Sequence, residues 1–191
     1  MIYVDTNVLL SLLVGDGSAD AAGEWYSRQT APLAISTWVT VEFYSHVGQR
    51  CRKGEETPRN AARIVDKFDQ MVSDSFTLLT FSDAAIRRVS LWLRSADCAL
   101  RTGDALHLAI ALEHEAAAIV TFDDRFAHGI EKLRIPGLKV IALPTAGALQ
   151  KIRQKRADYN VTERDIAKAV KWARKRKADE KARAPRLTVR G

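Results

Sequence analysis

The chain's 191 residues are 47% hydrophobic and 28% charged, an ordinary balance for a globular protein able to bury a core. No apolar run approaches membrane-spanning length, and the first residues lack a basic segment followed by an apolar signal core, so a cytoplasmic protein with no membrane partner is expected. The net charge of +7 is uneven: residues 1–145 hold 15 Lys and Arg against 18 Asp and Glu, net −3, while residues 146–191 hold 15 against 5, net +10. That split predicts a globular domain over 1–145 and a basic helical extension over 146–191, and a basic tail on an acidic body favours a polyanionic partner. Cys51 and Cys98 stand far apart, which excludes a zinc ribbon and a disulfide framework.

Ile2, Tyr3 and Val4 read as a buried strand that Asp5 ends. Thr6 and Asn7 are turn and cap residues, and Val8 to Leu13 reads as a helix. A carboxylate therefore stands at the carboxyl end of a strand, where open α/β sheets bind ligands, although a helix cap explains Asp5 equally well. Gly15 to Ser18 form a turn, and a second helix over 19–30 follows until Pro32 breaks it. Leu33 to Ser36 is a short strand. Thr37 to about Arg50 is a helix, with Glu42 on or beside the apolar stripe of Val39, Phe43 and Val47.

The polar stretch 51–60, with Gly54 and Pro58, reads as a loop, and 61–73 as a helix. Phe76 to Thr80 is a strand, and Ser82 caps a helix to about Arg94. Asp104 falls in the first turn of a helix over Ala105 to Glu115, where its charge suits the helix dipole. Ala117 to Phe122 is a buried strand, with Asp123 and Asp124 at its carboxyl end as Asp5 is on the first. Gly129, Pro136 and Gly137 punctuate a loop before a last strand, Leu138 to Leu143. Strands alternating with helices predict an α/β fold with a mostly parallel sheet covered on both faces. In the tail, Thr162 to Asp165 is a capping box. Ile166, Ala169, Val170 and Ala173 then line one side of a helix, with Arg164, Lys168, Lys171 and Lys175 opposite.

Asp5, Glu42, Asp104 and Asp123 thus sit at strand ends, at a helix start or on an apolar helix face. For any one of them a structural role is the simpler reading. Together, the motifs Val4-Asp5-Thr6-Asn7-Val8-Leu9, Val41-Glu42-Phe43, Asp104-Ala105-Leu106-His107-Leu108-Ala109 and Val120-Thr121-Phe122-Asp123 resemble, in order and spacing, the PIN-domain ribonucleases. The likeness is to the small prokaryotic type that serves as the VapC-like toxin of a type II toxin–antitoxin pair, and it spans roughly residues 1–143. It implies a three-layer α/β/α sandwich and an acidic pocket holding Mg²⁺ or Mn²⁺. It further implies RNA as substrate and a separately encoded antitoxin as partner. Carried over position by position, Asp5, Glu42, Asp104 and Asp123 are the catalytic and metal-binding quartet. Asn7 and Thr121 support it by hydrogen bonding. Asp124 adjoins the fourth acid, and Asp123 is preferred because the motif sets the acid two residues after the threonine.

The chemistry is coherent with that expectation. Clustered carboxylates repel unless a cation compensates them, and hard divalent ions prefer oxygen ligands. A non-catalytic RNA-binding adaptor is the alternative. A haloacid-dehalogenase-like phosphatase would want Asp where Asn7 stands, and a phospho-receiver would want a lysine after a late strand. His107, one turn after Asp104, is expected to pack or to hydrogen-bond behind the acids. His46, His114 and His128 lack zinc-ligand spacing. For the tail an RNA-binding arm, a dimerisation helix that would make a homodimer, an inhibitory segment and a solvated helix all stay open. Charge favours the RNA arm.

Overall fold

The computed structural model describes residues 1–148 together with 150, 151 and 154. The chain divides into two units, Met1–Ala146 and Gly147–Gly191. Among the described residues of the second unit, 147, 148, 150, 151 and 154 are helical. The helix expected from Thr162 lies outside the described residues.

The first unit runs β1 Ile2–Val4, α1 Thr6–Val14, α2 Ala19–Ser27, β2 Leu33–Ser36, α3 Thr37–Arg52 and α4 Pro58–Ser75. It continues with β3 Phe76–Leu79, α5 Asp83–Leu93, α6 Thr102–Glu113, β4 Ala118–Thr121, α7 Asp124–Leu133 and β5 Lys139–Ala142. The five strands form one sheet in the order β3-β2-β1-β4-β5, and every pairing is parallel. Parallel neighbours need crossovers, and crossovers are right-handed. The chain moves one way from β1 through β2 to β3, then returns across the sheet to β4 and β5. Right-handed crossings therefore put α1 to α4 on one face and α5 to α7 on the other. Accordingly α1 packs on α2, α3 and α4, while α5 packs on α6 and α7 on β4 and β5. This is the three-layer sandwich expected from the alternation of elements.

Burial follows position. The inner strands β2 and β4 are buried along their whole length, and the edge strands β3 and β5 only in part. The core holds Tyr3, Val4, Ile35, Phe43, Phe68, Leu108, Ile110, Ile119 and Phe126. Phe43 of α3 stacks on Phe68 of α4 with ring centroids 4.0 Å apart, which fixes the two helices face to face.

Two expectations need correction. The loop expected over 51–60 is confined to 53–57: α3 continues to Arg52, and α4 opens at Pro58 with the Thr57 hydroxyl accepting the Asn60 N–H at 3.2 Å. Proline at the first helical position loses no intrahelical hydrogen bond, so Pro58 starts a helix here and does not break one. Likewise Gly129 does not punctuate a loop. It lies within α7, where a Cβ would come 2.4 Å from Leu100 Cδ2. The glycine is there for close approach of α7 to the segment before α6.

Candidate active site

The sheet order reverses between β1 and β4, whose outgoing connections run in opposite directions. At such a switch point two loops diverge and leave a crevice at the carboxyl ends of the strands. The register pairs Val4 with Val120, so Asp5 emerges beside Thr121. Asp5 is buried, 6% exposed, and its backbone N–H still bonds Val120 O at 3.1 Å. Its Oδ2 accepts the Thr121 hydroxyl at 2.6 Å and Asn7 Nδ2 at 2.7 Å. Asn7 is itself fixed, since its Oδ1 accepts the Phe122 N–H at 3.0 Å and its Nδ2 lies 3.0 Å from Thr121 Oγ1. One oxygen of Asp5 is thus held by side chains of α1 and β4, and the other, Oδ1, faces His107 Nε2 at 3.5 Å.

Glu42 comes in on α3. Ser36 Oγ accepts the Val39 N–H at 3.3 Å at the start of this helix, and Glu42 follows on its second turn. Glu42 Oε2 accepts Thr6 Oγ1 at 2.5 Å and His107 Nε2 at 2.8 Å. Gly103 at the start of α6 allows the close fit, because a Cβ there would stand 3.2 Å from Glu42 Oε1. His107 lies on the buried side of α6, one turn beyond Asp104, and its Nδ1 meets the Tyr3 hydroxyl at 2.9 Å. The Tyr3 hydroxyl also meets Ser36 Oγ at 2.7 Å. A line of hydrogen bonds therefore runs from the sheet interior through Tyr3 and His107 to Glu42.

The electrostatics follow this geometry. Burial raises the Asp5 pKa above the usual carboxylate value, and the His107 charge and Thr121 hydroxyl only partly offset it. Burial also raises Glu42, but the hydrogen bond and charge of His107, with the Thr6 hydroxyl, outweigh it and leave the pKa lowered. For His107 burial acts downward and is overcome by the Glu42 hydrogen bond and the charges of Asp5, Glu42 and Asp104, so its pKa is raised. An imidazolium here donates Nε2–H to Glu42 and Nδ1–H to Tyr3, which frees the tyrosine hydroxyl to donate to Ser36.

The remaining acids stand in the same cleft. Asp5, Glu42, Asp104 and Asp123 line a cavity of about 420 Å³ together with Thr6, Asn7, His46, Arg101 and His107. Asp104 is the third residue of α6 and accepts the Arg101 N–H at 3.3 Å, so it caps the helix and lines the cleft at once. Burial raises its pKa, the Arg101 N–H opposes the rise, and the Asp123 and Asp5 charges add to it. Asp123 Oδ1 accepts the N–H groups of Arg125 at 2.8 Å and Phe126 at 3.0 Å, capping α7, while Oδ2 lies 3.8 Å from Arg101 Nη1. Asp124 is exposed in the first turn of α7 and is not part of the cleft lining.

All four acids singled out in the sequence are therefore brought to one cleft, with Asn7 and Thr121 bonded to the first. Asp5, Glu42 and His107 form the tightest set: each offers a ligand atom, and these atoms lie within 4.8 Å of one another. The Asp5 and Glu42 oxygens suit a hard divalent cation, and His107, while it donates Nε2–H to Glu42, orients that ligand and is not one itself. The donor set therefore fits the ion that the resemblance implies. The hydrogen bond expected of His107 behind the acids is present, while sequence reasoning missed Arg101 and the Tyr3–Ser36 partners on its other side. The available signals were a tyrosine hydroxyl in a buried strand, which must find a partner, and a histidine on an apolar helix face.

Residues 2–131 match the family model described as PIN domain. No match was found among curated proteins. Three solved structures share the fold. FitAcB from Neisseria gonorrhoeae superposes with a TM-score of 0.57 at 16% identity, covering 74% of this chain and 96% of its own. VapC20 from Mycobacterium tuberculosis, described as a sarcin–ricin loop cleaving toxin, gives 0.55 at 19% identity, covering 67% and 94%. VapBC2 from Rickettsia felis, solved bound to a DNA fragment from its promoter, gives 0.53 at 18% identity, covering 75% and 99%. With its match over two thirds of the sequence, the parallel five-stranded sheet and the acids gathered at the switch point, the chain belongs to the PIN-domain family.

Proposed function

We propose that this protein is a metal-dependent endoribonuclease, the toxin of a toxin–antitoxin pair, with Asp5, Glu42, Asp104 and Asp123 as its catalytic acids. The observation that carries the reading is the convergence of four carboxylates, from β1, α3, α6 and the end of β4, on one cleft. Holding like charges together in this way needs a compensating cation. A divalent ion bound there supplies the lowered pKa of coordinated water and the charge stabilisation that phosphodiester hydrolysis needs.

The chain's own residues prepare that site. Asn7 and Thr121 hold Asp5 with Oδ2 occupied and Oδ1 turned inward. Thr6 and His107 hold Glu42 by hydrogen bonds that lower its pKa. Burial of Asp5 limits competing water. Asp104 and Asp123 each spend an oxygen on a helix start and present the carboxylate at the cleft wall. Family membership and the loop-cleaving toxin described for VapC20 support RNA as the substrate, and the likeness to VapBC2 and FitAcB supports an antitoxin as the partner.

Purified protein is expected to cleave single-stranded RNA with Mg²⁺ or Mn²⁺, to stop when a chelator is added, and to lose activity in Asp5→Asn. Undiminished cleavage in chelator overturns the metal requirement. RNA binding without any cleavage would leave the adaptor reading in its place.

A further inference from the structure

A second pocket, about 230 Å³, adjoins the acidic cleft and shares Leu10 and His46 with it. Its other lining residues are Val14 and Asp16 at the end of α1, and Gln49, Arg50, Lys53 and Glu55 at the end of α3. Glu42, His46, Gln49, Arg50 and Lys53 recur at intervals of three and four along α3, which is one face of a helix. At 1.5 Å per residue that face carries the surface about 12 Å from Glu42 to Arg50.

The acids of this pocket are already engaged. Asp16 Oδ2 accepts Ser11 Oγ at 3.0 Å, and its Oδ1 accepts the Ser18 N–H at 2.7 Å. Glu55 lies 3.3 Å from Arg50 Nη1, and Glu56 lies 3.9 Å from Arg50 Nη2. These contacts steady the guanidinium while its Nε stays buried without a hydrogen-bond partner among the described residues. Lys53 is exposed, and among the described residues its ammonium makes no ion pair. Arg50 is thus paired with the acids beside it, which leaves Lys53 as the cation of this wall with no ion pair among the described residues. An exposed ammonium so placed can take an anion, and its pocket adjoins the acidic cleft.

Resting on the ribonuclease reading, the geometry points to this pocket as a subsite for the substrate RNA strand, in which Lys53, with His46 beside the cleft, receives a backbone phosphate flanking the scissile one. The cleft gathers acids that would repel the strand, and the pocket supplies the neighbouring positive contact that positions it.

The test uses the full chain carrying Asp5→Asn, with Mg²⁺ and a labelled ten-nucleotide single-stranded RNA, and measures Kd by fluorescence anisotropy across salt concentrations. Adding Lys53→Ala is expected to weaken binding about three- to tenfold and to reduce the slope of log K against log salt by about 0.7, the loss of one phosphate contact on a single strand. Lys132→Ala, which removes the same charge from α7, is expected to bind as the parent does. In the otherwise unaltered enzyme, Lys53→Ala raises KM on the same RNA more than it lowers kcat. Parent-like binding by Lys53→Ala overturns the subsite, as does an equal loss in Lys132→Ala. Wild-type protein that cleaves RNA while Lys53→Ala binds normally sinks this inference alone. Wild-type protein that cleaves no RNA sinks the ribonuclease reading.

Discussion

Asp104 answers to two demands, as helix cap and as cleft acid, and a single substitution separates them. Asparagine keeps an oxygen that accepts the Arg101 N–H but removes the charge that faces Asp123 and Asp5. Asp104→Asn is therefore expected to leave metal-free stability unchanged or slightly raised in urea unfolding, while RNA cleavage falls by about a hundredfold or more. A loss of about 1 kcal/mol or more would show that the cap needs the charge. At this scale the sequence exposed the acids, because carboxylates at strand ends and on apolar faces stand out against their neighbours. It hid the hydrogen bonds of Glu42 and His107. Thr6 is 36 positions from Glu42, and Tyr3 is 104 from His107. Only the approach of α3 from one face of the sheet and α6 from the other, beyond the end of β1, brings them together. Asp123 was preferred over Asp124 on spacing, and the geometry shows what spacing cannot: the first of the pair lines the cleft and the second faces solvent.

Elements were legible where hydrophobic periodicity was strong and unbroken, as in β1, β2, α3 and β4. They were lost where punctuation residues misled. Pro58 looked like a loop residue and opens α4. Gly129 looked like a turn, although Phe126 and Ile130, four apart on either side of it, are the buried stripe of α7. That glycine yields a direct check. Alanine is the better helix former by about 1 kcal/mol, but its methyl would fall 2.4 Å from a Leu100 side chain that is itself buried. Overpacking of this kind costs about 1–3 kcal/mol. Gly129→Ala is expected to lower stability by a net of up to about 2 kcal/mol, read as a shift in denaturant midpoint at constant slope. Pairing it with Leu100→Ala should give less than the sum of the two single losses, since the leucine is what the methyl meets. Additive losses would show that the clash lies elsewhere.

For the molecule as a whole, charge is divided between the two units. The first 145 residues carry −3 and the rest +10. A body that lines its cleft with carboxylates repels RNA at long range, and a tethered cationic segment can reverse that. A chain ending at Ala146 is expected to bind single-stranded RNA more weakly and with a shallower salt dependence, while turnover on saturating RNA stays near that of the full chain. Higher activity in the shortened chain would instead make residues 147–191 inhibitory. Unchanged binding and activity, with a smaller particle in size-exclusion chromatography, would make them a dimerisation element.

The path of the chain through the sheet has a further consequence for how the protein is made. β1 is synthesised first, yet one of its two neighbours, β4, is more than a hundred residues away, and β4 supplies the hydroxyl that orients Asp5. Asp104 and His107 arrive only with α6, and Asp123 only after β4. A nascent chain therefore passes most of its synthesis with two carboxylates and no cleft, since contacts of such long sequence separation form late. On the proposed ribonuclease reading, a chain stalled or truncated before α6 is expected to cleave no RNA, since Asp104, His107 and Asp123 are not yet in place.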